Sequence, residues 1–390
     1  MTRPIVPPPP PAPARPLADH PLGPAGSLPD PADGLALVKP AVRAQAAYTL
    51  RAPTARRKLN QNECPLDVPP TLKRSILDAA AAASWQRYPE FVPVELLERL
   101  AAHYGWVPDG VLAGNGSNEL IQATLSVVLG PGDVVVAPSP TFSLYRLLTG
   151  VLGGRYVPVP LGDDFGYDVG RLVAAAVRER ARVVVLNSPN NPTGTALGAG
   201  AVERVLRETE ALVLCDEAYQ EFGGPSAIPL LRRSSRLVVL RTFSKAMGMA
   251  GLRFGVALAH PGLAAELAKG KLPYNVNLVT LAAAAAALRE APLLAARTRE
   301  IVATRDRFVP ALAALSGITV YPTAANFVLI RCRALPAREV FRRLYDEYGI
   351  LVRDVSNAGA LSECLRISIG TDDDMDAVLA ALKEILPCPA

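Results

Sequence analysis

Three short runs constrain this chain more than anything else in it: Val183-Val184-Val185-Leu186, Leu212-Val213-Leu214-Cys215 and Leu237-Val238-Val239-Leu240. A strand with one wet face alternates apolar and polar residues. These runs are apolar at every position, so both of their faces must be buried. Asp133 to Ala137 and Tyr156 to Val159 read as further strands. Helical patterns occupy the spaces between, at Thr141 to Leu152, at Val202 to Thr209, and after Gly116-Ser117-Asn118, where Leu120, Ile121, Leu125 and Val128 recur. Strands and helices in alternation predict an α/β fold with a parallel sheet covered on both sides.

Upstream, Thr71 to Ser84 reads as a helix that ends before Pro89, and Val94 to Tyr104 as a second that stops at Gly105. Beyond Pro273 the character changes. A long alanine-rich helical region runs from Asn277 to Ala314. A strand (Phe327 to Ile330), a helix (Ala337 to Tyr348), strands at Ile350 to Arg353 and Cys364 to Ile369, and a closing helix follow. This is the pattern of a smaller α+β domain. The first forty residues hold thirteen of the 37 prolines. That arm is expected to be extended and disordered, without helix or sheet.

A net charge of +5 spread over 390 residues, with no basic stripe, points away from nucleic acid and leaves acidic small molecules as partners. The 5 cysteines show no metal spacing and only 3 histidines accompany them, so no metal site is expected. Free thiols, no signal-peptide pattern and no apolar run long enough to span a bilayer point to the cytoplasm and away from membranes.

Ligands in open parallel sheets bind beyond the carboxyl ends of the strands, and there the chain places its polar motifs. Asn187-Ser188-Pro189-Asn190-Asn191-Pro192-Thr193-Gly194 follows one strand, with Pro192 and Gly194 fixing a turn that aims an asparagine amide. Asp216-Glu217-Ala218-Tyr219 follows the next. The third runs into Leu240-Arg241-Thr242-Phe243-Ser244-Lys245 and on to Gly251-Leu252-Arg253. Gly116-Ser117-Asn118 offers backbone N–H groups at a helix start, an anion site. Taken singly, Asn191 reads as a loop amide, Asp216 as a cap, Ser117 as an N-cap and Tyr219 as core. Together they form a chemical set. The Lys245 amine can form a Schiff base with an aldehyde. Thr242, Ser244 and Arg253 can hold a phosphate, and the Asp216 carboxylate can keep a pyridine nitrogen protonated. Pyridoxal phosphate fits that set.

On these motifs, together with Leu59-Asn60-Gln61-Asn62-Glu63, Arg87-Tyr88-Pro89 and Leu365-Arg366, the chain resembles the fold-type I pyridoxal-phosphate aminotransferases. Within them it is most similar to the histidinol-phosphate aminotransferases, over Leu59 to Leu382. The resemblance implies an aspartate aminotransferase-like architecture: a large domain with a mostly parallel seven-stranded sheet between helices, and a smaller α+β domain. Along the chain this divides into an arm (1–45), an N-terminal segment packing with the small domain (46–75), the cofactor-binding domain (76–299) and the small domain (300–390). It implies Lys245 as the cofactor-holding, proton-moving lysine and Asp216 at the pyridine nitrogen. Asn191 and Tyr219 would then sit at the ring hydroxyl, with Ser117, Asn118, Thr242, Ser244 and Arg253 on the phosphate and Phe142 stacked on the ring. Tyr88 would reach the neighbouring subunit's cofactor, which makes a homodimer with shared sites. Asn62, Arg353 and Arg366 would meet the substrate, the two arginines at its anionic group.

The implied reaction passes an amino group from histidinol phosphate to 2-oxoglutarate in histidine biosynthesis. Aromatic amino acid transamination, threonine-phosphate decarboxylation and a non-catalytic module on the same scaffold are the alternatives. Two positions depart from the family's habit. Phe142 stands where a tyrosine is frequent. Cys64 stands where asparagine or tyrosine is common near the substrate's way in, and reads as a small filler rather than a reactive thiol.

Overall fold

Neighbouring residues of the apolar runs belong to different cores, the mark of a strand buried on both sides. Val184, Leu186, Val213 and Val239 pack into one cluster with Leu96, Leu100 and Phe254. Val183, Val185, Leu214 and Val238 pack into another with Leu120, Ile121 and Tyr145. The computed structural model describes residues 32–47, 53–356 and 359–387. In chain order the strands are β1 (Arg57–Lys58), β2 (Val111–Gly114), β3 (Val134–Ser139), β4 (Arg155–Pro160), β5 (Val183–Asn187), β6 (Leu212–Asp216), β7 (Leu237–Thr242), β8 (Gly255–Ala259), β9 (Ile318–Val320), β10 (Phe327–Cys332), β11 (Ile350–Leu351), β12 (Arg353–Asp354) and β13 (Cys364–Ser368).

A 7-stranded sheet has the order β2-β8-β7-β6-β5-β3-β4. All neighbours are parallel except β8, which runs antiparallel to both β2 and β7. The mostly parallel seven-stranded sheet expected from the resemblance is therefore present. Strands β2 and β8 and the helix Val169–Arg178 go beyond the sequence reading. Strand β8 (Gly-Val-Ala-Leu-Ala) is short and built of small residues, too weak a pattern to stand out.

Local rules set several boundaries. Helix Val94–Tyr104 buries Leu96, Leu100 and Ala101 and stops where Gly105 turns left-handed (φ 67°). There Trp106 N returns to Ala101 O at 2.8 Å, closing the helix end. The last helix, Asp372–Ile385, opens with a capping box between Thr371 and Asp374. The alanine-rich region is two helices, Leu278–Arg289 and Ala291–Ala313, bent by 81°. Pro292 sits in the first turn of the second helix, the one place its missing N–H costs nothing. No single helix among the described residues is long and apolar enough to cross a membrane.

A second, 4-stranded antiparallel sheet has the order β12-β13-β10-β9. Its core joins Phe327, Val328 and Ile330 to Leu365, Ile367 and the buried face of the last helix. The single strand expected at Ile350 to Arg353 divides at Val352. Its first half, β11, pairs in parallel with β1, and its second, β12, joins β13. By changing partners, this segment holds the chain's early residues beside the second sheet.

The described residues before Gln45 form two short helices, Ala32–Ala36 and Pro40–Arg43. The arm is thus not free of helix as the proline count suggested, because Pro40 occupies a first-turn position where proline is favoured. Residues 1–31 of that arm lie outside the described residues.

Candidate active site

Three adjacent parallel strands each end on a polar side chain at the same edge of the large sheet: Asn187 of β5, Asp216 of β6 and Thr242 of β7. The turns beyond them surround a cavity of about 310 Å³. Asn191, Asp216, Tyr219, Thr242, Ser244 and Lys245 line it from these turns. Ser117, Asn118, Phe142 and Arg253 line it from neighbouring elements, and Asn62, Arg353 and Arg366 from the N-terminal segment and the second sheet. Every site residue expected from sequence is here except Tyr88. That residue is 80 % exposed and stacks on Tyr274, ring centroids 4.5 Å apart.

Lys245 extends from the turn after β7. Its Nζ donates to Gln61 O at 2.8 Å and lies 5.6 Å from the centre of the Tyr219 ring. Burial, with Arg366 and Arg253 nearby, pulls its pKa down to about 7, against an opposing pull from Glu63. Near neutrality half of such amines carry a lone pair, which an ordinary lysine would not.

Asp216 is buried, and burial raises its pKa; hydrogen bonds from the Tyr145 hydroxyl and Ala218 N oppose the rise. Tyr145 Oη donates to Oδ2 at 2.6 Å and Ala218 N to Oδ1 at 3.1 Å. A third partner of the opposite charge would complete this carboxylate. Asn187 braces the neighbouring turn: its Oδ1 accepts from Asn191 N at 2.9 Å and its Nδ2 donates to Asp216 O at 3.2 Å. Tyr219 Oη accepts from Asn62 Nδ2 at 3.0 Å, and its ring meets Phe327 edge-on at 5.1 Å. Asn62 itself holds a left-handed backbone (φ 54°), locked by Ser368 Oγ and Asn326 Nδ2.

The opposite end of the cavity is built for an anion. Helix Ser117–Val128 begins on Gly116, which has no side chain to cap it, so its first N–H groups remain for a ligand. Arg253 bonds Ser244 Oγ at 3.0 Å, and Thr242 Oγ1 accepts from Ser244 N at 3.1 Å. A Cβ at Gly116 would lie 2.3 Å from Arg253 Nη2, and one at Gly255 2.4 Å from Ser117 N. Only glycine allows the guanidinium and the helix start to close in this way.

Arg353 and Arg366 are direct cross-strand partners on β12 and β13. Like charges facing each other across a ladder are unfavourable, so the pair makes sense around an anion. Arg366 is buried. Its Nη1 bonds Asn191 Oδ1 and its Nη2 bonds Asn60 O at 2.8 Å, while its guanidinium lies 5.2 Å over the Phe327 ring.

Sequence reasoning missed Tyr145, Asn187 and the backbone carbonyls of Asn60 and Gln61. Asn187 carried a usable signal, a polar residue closing an apolar strand. Tyr145 carried none, being one aromatic among the apolar residues of its helix. Phe142 meets Tyr145 edge-on at 5.6 Å. Cys64 does not line the cavity; it sits in a neighbouring depression beside Gly248, and burial pushes its thiol pKa up.

Against known proteins, the profile of the family described as aminotransferase class I and II matches residues 57–382. The chain belongs to that family. The histidinol-phosphate aminotransferase of Chlorobaculum parvum is 39% identical over 353 residues, 90% of this chain and 99% of that one. The protein of the same name from Caldanaerobacter subterraneus is 36% identical over 84% of this chain and 93% of its own. Among solved structures, histidinol-phosphate aminotransferase from Sinorhizobium meliloti in complex with pyridoxal-5'-phosphate superposes with a TM-score of 0.80 at 30% identity, covering 89% of this chain and 96% of that one.

A phosphorylated pyridine aldehyde would ask this aminotransferase-family cavity for an amine of low pKa, an uncapped helix start with an arginine, and a buried carboxylate. It would also ask for donors at a ring oxygen. Lys245, the Gly116–Arg253 cradle, Asp216, and Asn191 with Tyr219 answer those demands one for one, so the residues fit the group.

Proposed function

We propose that this chain is a pyridoxal-phosphate-dependent aminotransferase that moves an amino group from histidinol phosphate to 2-oxoglutarate, working as a cytoplasmic homodimer. Pyridoxal phosphate, when bound, supplies an aldehyde that takes up amino groups and a ring that draws electrons from the substrate's Cα. Ser117, Asn118, Thr242, Ser244 and Arg253 would hold its phosphate, Phe142 its ring face, Asp216 its ring nitrogen, and Asn191 with Tyr219 its ring oxygen.

The protein's own groups carry the rest. Lys245, with a pKa about 7, accepts and returns a proton at Nζ without leaving the cavity, as a base matched to working pH should. The Tyr145 hydroxyl and Ala218 N bond to the Asp216 carboxylate and favour its charged form against the burial that raises its pKa, so a cationic N–H opposite it would be favoured. Asn191 commits its Oδ1 to Arg366, which leaves its amide N–H₂ as the donor. Tyr219, whose hydroxyl oxygen accepts from Asn62, would turn its O–H toward the ring oxygen. Arg353 and Arg366 bind the substrate's phosphate, and Asn62 orders the pocket beside it. Tyr88, exposed and stacked on Tyr274, would pass to the partner subunit's cofactor phosphate.

The substrate assignment rests on one observation: likeness over 90% of the chain at 39% identity to a histidinol-phosphate aminotransferase. The facing arginines support it, since a dianion satisfies two guanidiniums better than a carboxylate does. The test is a panel of amino donors added to the cofactor-loaded enzyme while its visible absorbance is followed. Histidinol phosphate should bleach the band, with phenylalanine, tyrosine and threonine phosphate lagging. An unchanged spectrum with histidinol phosphate and a bleached one with phenylalanine overturns the assignment. Borohydride reduction should fix the cofactor to Lys245 and to no other residue.

A further inference from the structure

In the motifs at the strand ends, two charged residues do not line the cavity: Glu217, beside Asp216, and Arg241, beside Thr242. Successive residues of an extended chain point to opposite sides, so while Asp216 and Thr242 face the cavity, these two meet behind it. Arg241 Nη2 lies 2.8 Å from Glu217 Oε2, with side-chain exposures of 6% and 1%. Its Nη1 lies 3.0 Å from Glu221 Oε1, and Nη2 also reaches Ser226 Oγ at 3.1 Å. Glu217 in turn accepts from Ala227 N at 2.5 Å and Ser226 Oγ at 2.9 Å. The guanidinium closes against the Tyr104 ring, 5.6 Å from its centre.

One buried cation thus grips both ends of the segment 217–221, and Tyr219 lies inside that segment. Such a cluster is a poor stabiliser: well-packed apolar residues usually do as well or better than buried ions. What the fork of a guanidinium adds is fixed direction. We propose that Arg241 is a positioning residue, holding the segment 217–221 from behind the strand ends so that Asp216 and Tyr219 keep one aim into the cavity. It also ties that segment to β7, which carries Thr242 and leads to Lys245, so the two groups of cofactor-facing side chains keep a fixed spacing. This inference rests on the cofactor assignment above.

The experiment titrates pyridoxal phosphate into apo wild-type, R241K, Y219F and R241K/Y219F proteins and records the cofactor Kd and the pH midpoint of the bound cofactor's visible band. Lysine keeps the charge but cannot fork to both carboxylates. R241K should raise Kd by about tenfold, the worth of one charged hydrogen bond, and shift the midpoint in the direction that Y219F does. The double variant should lose less than the product of the two single losses, because part of the Arg241 effect passes through Tyr219. E221A, which leaves a balanced Arg241–Glu217 pair, should raise Kd severalfold and serves if R241K does not fold. Wild-type Kd and midpoint in R241K and E221A, or losses that multiply in the double variant, overturn the positioning role. Wild-type apoprotein that takes up no pyridoxal phosphate overturns the cofactor assignment instead.

Discussion

The two sheets deliver side chains to the cavity in different ways. The seven-stranded sheet, apolar over most of both faces, gives the cavity only strand ends and the turns beyond them. The four-stranded sheet does the reverse and presents Arg353 and Arg366 as a facing pair on adjacent strands. Strand ends can hold a ligand of fixed shape, because three turns in register approach it from three directions. A pair of long cations on a sheet face suits an anion whose carrier varies. On the proposed function a division of labour follows: the large sheet would build the cofactor's place, and the small sheet, with Asn60–Asn62, the substrate's.

The largest effect should come from the large sheet's side. K245A removes the proton carrier and should lower kcat by about 10⁴-fold, the upper range for a positioned base, with no recovery in K245R. A residual rate within tenfold of wild type would break the assignment. On the other side the losses should be smaller and appear in kcat/KM. R366M should cost about 100-fold, since it removes charged bonds from a buried site, and R353M about tenfold, since its partner remains. Equal losses, or the reverse order, would show that the two arginines do not divide as their burial suggests.

The sheets are also coupled through charge. In the apoprotein Lys245 should be acylated by acetic anhydride with a midpoint at about pH 7, well below the ordinary value of a lysine amine. Below the midpoint the ammonium is protected; above it the free amine reacts. Arg366 is among the groups that depress this pKa, so R366M should move the midpoint upward. Peptide mapping across the neutral range reads both. An unmoved midpoint would separate the arginine electrostatically from the lysine.

The same contrast explains what the sequence could reveal. Strand ends are legible, because an apolar run followed by Asp216 or by Ser244-Lys245 announces both the strand and the group it aims. Arg353 and Arg366 came from the family resemblance, since no local pattern states that two arginines far apart in sequence will face each other. Their pairing depends on β11 and β12 parting at Val352, a choice made by long-range docking of β1. Tyr145 illustrates the limit. Its hydroxyl holds Asp216 at 2.6 Å from a helix 71 residues earlier, and helical periodicity marks it only as core. Arg241 and Glu217 are visible in the sequence as charges beside apolar runs, but the direction in which they turn is not.

The smallest effect is the most direct probe of the small sheet. If Arg353 and Arg366 are held face to face for the sake of an anion, their mutual repulsion carries a cost in the apoprotein, and removing one charge should relieve it. R353M should therefore raise the unfolding free energy of the apoprotein by about 0.5 kcal/mol at low ionic strength, as read from urea midpoints at unchanged slope. Salt should erase most of the gain, because the half-exposed Arg353 is open to screening. Inorganic phosphate should do the opposite for wild type, raising its midpoint by binding the folded state and doing so less in R353M. A variant that is destabilised at low salt, or that gains as much from phosphate as wild type, would mean that the two cations do not repel and that the anion is held elsewhere.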